Sequence, residues 1–415
     1  MPSARRRQIF HPRSSLDGAV RVVAFIFHEG RSFSMKLATL LLIWPMQLAA
    51  ATMTGWIGTY TTAKEGSTGS LGIYAFQWDT ERGLLSRIHA AGTTTNPSFL
   101  ALHPSGRFLY AVNQDVLSSG ADHITAFAIG DATSSEALTA LGSVSSHGLG
   151  PCHLSLDLTG RWLFVANYLS GTIAVYPIQP DGRLGEAKQT IQQKGSGPVA
   201  GRQESAHAHE VVQSPDGRFL LSVDLGADRI FVYQFDATTG ALIPNSAPEV
   251  IFPAGYGPRH LVFSKDARRI YVLTELTPAV VTLRWNARRG VTTQLGVTST
   301  LPAADQDEHS GAEIVLHSNG KFLYASNRGN SNTIAIFRIG RDGLPIPAGH
   351  VSSGGRLPRF FGIDPSGKFL ITANQGSGDL FTFRIDPVSG ALTSLGTRVE
   401  VPAPVSFVFA HAPGR

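Results

Sequence analysis

The chain has 415 residues, 16% of them charged and 42% hydrophobic, with 44 glycines and 24 prolines; this turn-rich globular composition excludes disordered and fibrous chains. Its formal charge of +5 sits in the first 51 residues, where Arg5, Arg6, Arg7, Arg13, Arg21, Arg31 and Lys36 face only Asp17 and Glu29. The remainder balances at 28 bases and 28 acids, which removes the electrostatic case for a nucleic-acid partner.

Residues 1–34 read as an extension outside the fold, and Met35 is an alternative start of translation. Met35-Lys36 opens an apolar run over residues 37–48 that ends in Ala49-Ala50-Ala51. A positive start, a short apolar stretch and small residues at its end read as a signal peptide over 35–51. The run is short for a spanning helix, and an uncleaved anchor is the alternative. An exported protein, periplasmic or secreted, is expected, with no membrane contact beyond this segment. Cys152 is the single cysteine, so no intrachain disulfide can form.

From residue 52 the sequence repeats. A turn, an apolar strand and a small polar pair recur as HPSGRFLYAVNQ from His103, DLTGRWLFVANY from Asp157 and SPDGRFLLSVDL from Ser214. They continue as SKDARRIYVLTE from Ser264, HSNGKFLYASNR from His317 and DPSGKFLITANQ from Asp364, at spacings of 54, 57, 50, 53 and 47 residues. Each phrase follows one apolar run, such as HLSLD or LVFS, and precedes another, such as TIAVYPI or DLFTFRI. A second turn and a fourth short run complete the unit. Short strands, frequent turns and no helical period predict an all-β fold of four-stranded antiparallel blades.

The two chain ends set the blade count. GWIGTYT from Gly55 and GIYAFQWD from Gly72 supply a second and a third strand without a first, and the C-terminal PVSFVFAH supplies a first strand alone. Joined, they make one blade shared by both ends, which removes the open sheet edges. Residues 52–415 are therefore predicted to form a single seven-bladed β-propeller, ring-closed by its N- and C-terminal strands.

Topology then places the polar residues. The turn joining first and second strands lies on one face, so strand-one starts and strand-two ends share the other. The starts include Pro151-Cys152-His153, His207-Ala208-His209-Glu210, Pro258-Arg259-His260, Gly311-Ala312-Glu313 and Pro358-Arg359-Phe360. The ends include Tyr60, Gln114, Tyr168, Glu275 and Arg328. With the first strands innermost, these groups ring one mouth of the central channel.

Three arginines at one mouth suit an anionic ligand, because guanidinium forks match carboxylate or phosphate. Glu275 and the histidines supply groups that can take or deliver a proton. A polar ring that merely solvates a water-filled channel is the plainer reading. His207 and His209, two apart on an extended segment beside Glu210, could chelate a metal, but no third firm ligand is offered. No metal or other cofactor is expected. Cys152 lacks a base at fixed spacing and reads as packing.

At these residues a resemblance becomes specific. GYGPRHLVFS from Gly255 with the following YVLTELTPAVV, together with AHAHEVVQSPDGR, GPCHLSLD, YASNR, LPRFFGIDPSGKFL and VSFVFAH, resembles the lactonase family of seven-bladed propellers over about residues 55–411. That family includes 6-phosphogluconolactonase of the propeller type and the carboxy-cis,cis-muconate lactonising enzyme. In its lactonising members a His, two Arg and a Glu around the channel bind substrate and transfer protons. The resemblance carries these roles to His209 (or His207), Arg259, Glu275 and Arg328, while Arg359 and His153 fall where family members tend to be polar.

The resemblance implies a monomeric, metal-independent lactone hydrolase, 6-phosphogluconolactonase-like, acting on a small anionic sugar-type lactone at the channel mouth. Glu275, His209 and Arg259 are expected to carry the chemistry, with Arg328, Arg359, His153 and His207 binding substrate. The signal peptide departs from the cytosolic setting of sugar-phosphate chemistry, which bears on the substrate more than on the reaction. Two rivals remain. One is an intramolecular lyase that closes or opens a muconate-type lactone; the other is a non-enzymatic exported binding propeller whose functional patch lies on loops such as residues 192–204.

Overall fold

In the computed structural model, which describes residues 52–410 apart from 63–68, 115–121, 135–136, 247–248 and 304–308, 29 strands pair into seven antiparallel sheets. The expected extension, the signal segment and His411 lie outside the described residues. Blade 1 takes its innermost strand, Pro404–Phe409, from the C-terminal end and Thr52–Thr59, Gly72–Asp79 and Leu84–Thr93 from the N-terminal end. Blades 2 to 7 follow in chain order. Their innermost strands are Pro97–Leu102, Pro151–Leu156, Ala208–Gln213, Pro258–Phe263, His309–Leu316 and Pro358–Ile363. The predicted seven-bladed propeller is the observed fold.

Aromatic packing reinforces the closing blade. Phe409 pairs with Gly55 across the sheet, and its ring meets Phe76 at 5.5 Å and Trp78 at 5.9 Å. Each of the seven blade interfaces holds one large apolar cluster; between blades 7 and 1 it is built on Ile57, Trp78, Phe369 and Leu380. Alternation along the strands explains this arrangement, since one face of each blade packs on the next and burial of apolar area is the main stabilising term.

The repeat phrase encodes its own turn. Oδ1 of Asp157 accepts the N–H groups of Arg161 and Trp162 at 2.7 and 2.8 Å, while Gly160 reverses the chain at φ 70°. Glycine reaches that conformation without a Cβ clash. SKDARR places Ala267 at the same point, at φ 53°, a conformation that strains an L-residue.

The small polar pair is structural as well. Asn113, Asn167, Asn327 and Asn374 are fully buried and donate their amides to carbonyls of Thr95, Ser146, Thr300 and Ser353, on the preceding inter-blade loops. These amides satisfy loop carbonyls that would otherwise be buried unpaired. In three of these blades the next residue along, Gln114, Tyr168 or Arg328, is the one that reaches the mouth.

Candidate active site

A kink and a bulge aim side chains into the channel. The residue before the inner-strand proline has positive φ in five blades: Asn96 (41°), Gly150 (65°), Gly257 (60°), Leu357 (54°) and Ala403 (41°). Its carbonyl accepts the N–H of the strand-two exit residue, as in Glu275 N–H to Gly257 O at 2.7 Å and Tyr168 N–H to Gly150 O at 2.8 Å. In these five blades the register shifts by a bulge at the residue after the proline; in blade 4 it shifts at His209, and in blade 6 between Gly311 and Ile314. A bulge leaves a residue out of the ladder and re-aims its side chain. Cys152, His209, Arg259 and Arg359 are such residues. Leu357 and Ala403 hold the kink without glycine, a local strain of the kind that clusters at functional sites.

The mouth is a cavity of about 600 Å³, and every blade contributes to its wall, through Tyr60, Gln114, Tyr168, His209, Glu275, Arg328 and Arg359. Glu275 stands at its centre of charge. Its Oε2 lies 2.9 Å from Arg259 Nε and 3.0 Å from Arg328 Nη2, and its Oε1 pairs with Arg202 Nη2. Burial alone would push the Glu275 carboxyl up, but the three guanidiniums prevail and hold it at about 2. Arg359 stands over the Tyr60 ring at 5.6 Å, and the Tyr60 hydroxyl donates to Gln114 Oε1 at 2.7 Å. Four guanidiniums, those of Arg202, Arg259, Arg328 and Arg359, thus gather in this tier. Burial lowers Arg328 to about 10, so it stays cationic at neutral pH.

His209 lines the same cavity, and its Nδ1 has no hydrogen-bond partner among the described residues. Burial and the cations Arg259 and Arg359, with His260 beside them, hold its imidazole well below its ordinary value. The ring is therefore neutral and has a lone pair to offer.

One residue further along each inner strand, a second tier meets across the axis. His260 lies 5.5 Å from His153 and 5.1 Å from His209, centroid to centroid, and Phe99 lies 4.3 Å from His153 and 6.0 Å from Phe360. His260 Nδ1 is 3.1 Å from both oxygens of Glu313, and His153 Nε2 is 3.8 Å from Glu210. Glu210 Oε2 also accepts the Leu261 N–H at 2.7 Å. Burial pushes Glu313 up to about 8 and Glu210 well above its ordinary range, and it drives His153 and His260 well below theirs. These are neutral hydrogen-bonded groups rather than ion pairs.

Comparison with known proteins agrees with this architecture. The family model described as "Lactonase, 7-bladed beta-propeller" matches residues 54–409. The chain belongs to the seven-bladed β-propeller lactonase family. It is similar to a 6-phosphogluconolactonase of Bacillus subtilis, 34% identical over 358 residues that cover 86% of this chain and 98% of that protein. A solved structure described as the periplasmic gluconolactonase of Pseudomonas aeruginosa is 33% identical, with TM-score 0.81 over 88% of this chain and all of that one. A putative 6-phosphogluconolactonase from Bacteroides fragilis is 30% identical, with TM-score 0.79 and coverage of 88% of this chain and 100% of its own.

In this lactonase the residues singled out in the sequence divide by depth. His209, Glu275, Arg328 and Arg359 line the cavity. Arg259 lies behind Glu275, with 3% of its side chain exposed, and its Nη1 donates to the Ala312 carbonyl. His153 belongs to the lower tier, one residue past the bulge. His207 is also off the cavity wall: it stacks on Tyr168 at 4.6 Å and its Nδ1 is 2.8 Å from the Tyr168 carbonyl. Neither His153 nor His207 is among the residues that line the cavity. Among the described residues no three His, Cys, Asp or Glu side chains are grouped to hold a metal. Arg202 is the residue sequence reasoning missed. It sits on the long connection between blades 3 and 4, outside the repeat phase, so no strand-end rule points to it.

Proposed function

We propose that this lactonase hydrolyses an anionic sugar-type lactone at the channel mouth, outside the cytoplasm. The supporting observation is the gathering of Arg202, Arg259, Arg328 and Arg359 around a cavity that all seven blades line. Preorganised cations stabilise developing negative charge without reorganising.

In this reading Arg328 faces the carbonyl oxygen as the tetrahedral intermediate forms, and Arg359 holds the substrate from its own wall. The neutral His209 takes a proton from the attacking water and returns it to the ring oxygen as the C–O bond breaks. A bound anion offsets the cations that depress His209, so substrate itself strengthens the base. Such acid–base help is worth about 10²–10⁴-fold. Glu275, ionised and pinned by three guanidiniums, aligns Arg259 and Arg328 and takes no proton near neutral pH. Export is supported by the signal-like segment 35–51 and by the periplasmic relative in Pseudomonas aeruginosa.

The test is turnover. Purified protein is expected to open δ-gluconolactone and its 6-phosphate faster than buffer, and Arg328→Ala and His209→Ala each to remove most of that rate. Variants that match wild type would move the site elsewhere, and no turnover across a lactone panel would favour the binding propeller.

A further inference from the structure

Arg202 differs from the other arginines of the mouth in how it is held. Arg259, Arg328 and Arg359 leave strands or strand ends, whereas Arg202 arrives on the connection between Gln189–Gln192 and Ala208–Gln213. That connection is built rather than loose. Gln203 is fully buried, its Nε2 donating to Leu225 O at 2.8 Å and its Oε1 accepting the Val199 N–H at 3.3 Å. The Gly197 N–H donates to Gln203 O at 2.8 Å, and a Cβ on Gly197 would lie 2.4 Å from Gln203 Oε1. A Cβ on Gly226 would lie 1.9 Å from the Ser205 carbonyl. The loop packs against its floor with no room to spare, and it delivers one guanidinium to the cavity wall.

That guanidinium is only partly used. Its Nη2 reaches Glu275 and, at 3.4 Å, the Tyr168 hydroxyl. Nε and Nη1 make no hydrogen bond among the described residues. Its side chain is 39% exposed, against 3% for Arg259 and 14% for Arg328, which serve the same carboxylate. A guanidinium carries five donors in a planar fork, so one that spends a single nitrogen on internal partners keeps an edge for a second oxyanion.

We propose that Arg202 is a specificity-determining residue that binds the substrate's own anionic group, phosphate or carboxylate, from the outer rim of the cavity. The proposal rests on the hydrolase reading above. Glu275 holds the fork in place while the cavity is empty of substrate, so the anion meets a preorganised partner and needs no ordering of a long side chain.

The experiment uses Arg202→Gln and Arg202→Lys with three lactones: gluconolactone 6-phosphate, glucaro-1,4-lactone (a carboxylate) and neutral δ-gluconolactone. For Arg202→Gln the ratio of kcat/KM on an anionic lactone to that on the neutral one is expected to fall by about tenfold or more, carried by KM, the effect of losing one charge-assisted hydrogen bond. Arg202→Lys is expected to restore part of the ratio. A fall confined to the phosphate or to the carboxylate arm names the anion recognised. A ratio left at its wild-type value, whether all three substrates weaken alike or none does, overturns the proposal. Calorimetric binding of 6-phosphogluconate separates the two readings. If wild type opens no lactone yet binds this probe in an Arg202-dependent way, the hydrolase reading fails and the anion site stands; equal binding by wild type and Arg202→Gln overturns the anion site.

Discussion

The two tiers of the channel are one residue apart in sequence and opposite in electrical character. The upper tier, with Arg259, Arg328, Arg359, Arg202 and Glu275, is charged and opens to a cavity. The lower tier, with His153, Glu210, His260 and Glu313, is equally rich in ionisable groups but is neutral. Supply of counter-charge makes the difference. Glu275 has three guanidiniums within reach, which outweigh its desolvation, whereas Glu313 faces an imidazole that burial has already stripped of its proton. Buried ionisable groups keep their charge where partners compensate them and lose it where they do not. The upper tier is thus the part of the channel suited to an anion, and the lower tier closes the channel beneath it.

The largest effect expected from breaking this contrast comes from Glu275→Gln. It removes the carboxylate that Arg202, Arg259 and Arg328 share and leaves them facing each other, at a cost of about 3–5 kcal/mol in stability. Activity is expected to fall with the loss of arginine alignment. Millimolar inorganic phosphate is expected to raise the Tm of the variant more than that of wild type, because an anion now fills the vacated charge and stabilises the native state by mass action. Equal phosphate effects on both proteins would mean that Glu275 is not what neutralises the mouth.

A smaller, pH-dependent effect tests the lower tier. A carboxyl whose native pKa is about 8, above its ordinary 4.5, contributes stability that is complete below pH 4.5 and lost as the pH rises to 8. Glu313→Gln is therefore expected to gain Tm relative to wild type as the pH is raised from 5 to 8, with the difference flat beyond. A difference that does not change with pH, or that runs the other way, would mean that Glu313 is ionised against a charged His260.

Much of this arrangement was legible in the sequence because the repeat is loud. Six copies of a turn-strand-polar phrase define the blades, and the half-units at Gly55 and at PVSFVFAH require a shared closing blade. The mouth residues were legible because the strand-one starts and strand-two exits must share a face, which brings Arg259, Glu275 and Arg328 together without any knowledge of their rotamers. The division by depth was not. A bulge near the start of the inner strand changes which of two adjacent residues meets the cavity, so Arg359 rather than Phe360 lines it, and His209 rather than Glu210. His207 precedes its inner strand and turns back onto Tyr168, a contact set by the loop path. Arg202 was invisible for the same reason: its position depends on the buried amide of Gln203 and on the close packing at Gly197 and Gly226, none of which has a period.

The most direct test of the charged mouth is the preference of the wild-type protein between gluconolactone 6-phosphate and δ-gluconolactone, measured as the ratio of kcat/KM values at rising ionic strength. A ratio of about ten or more in favour of the anion is expected at low salt, shrinking as salt screens the arginines near the entrance. A preference for the neutral lactone, or a ratio near one at every salt concentration, would contradict it.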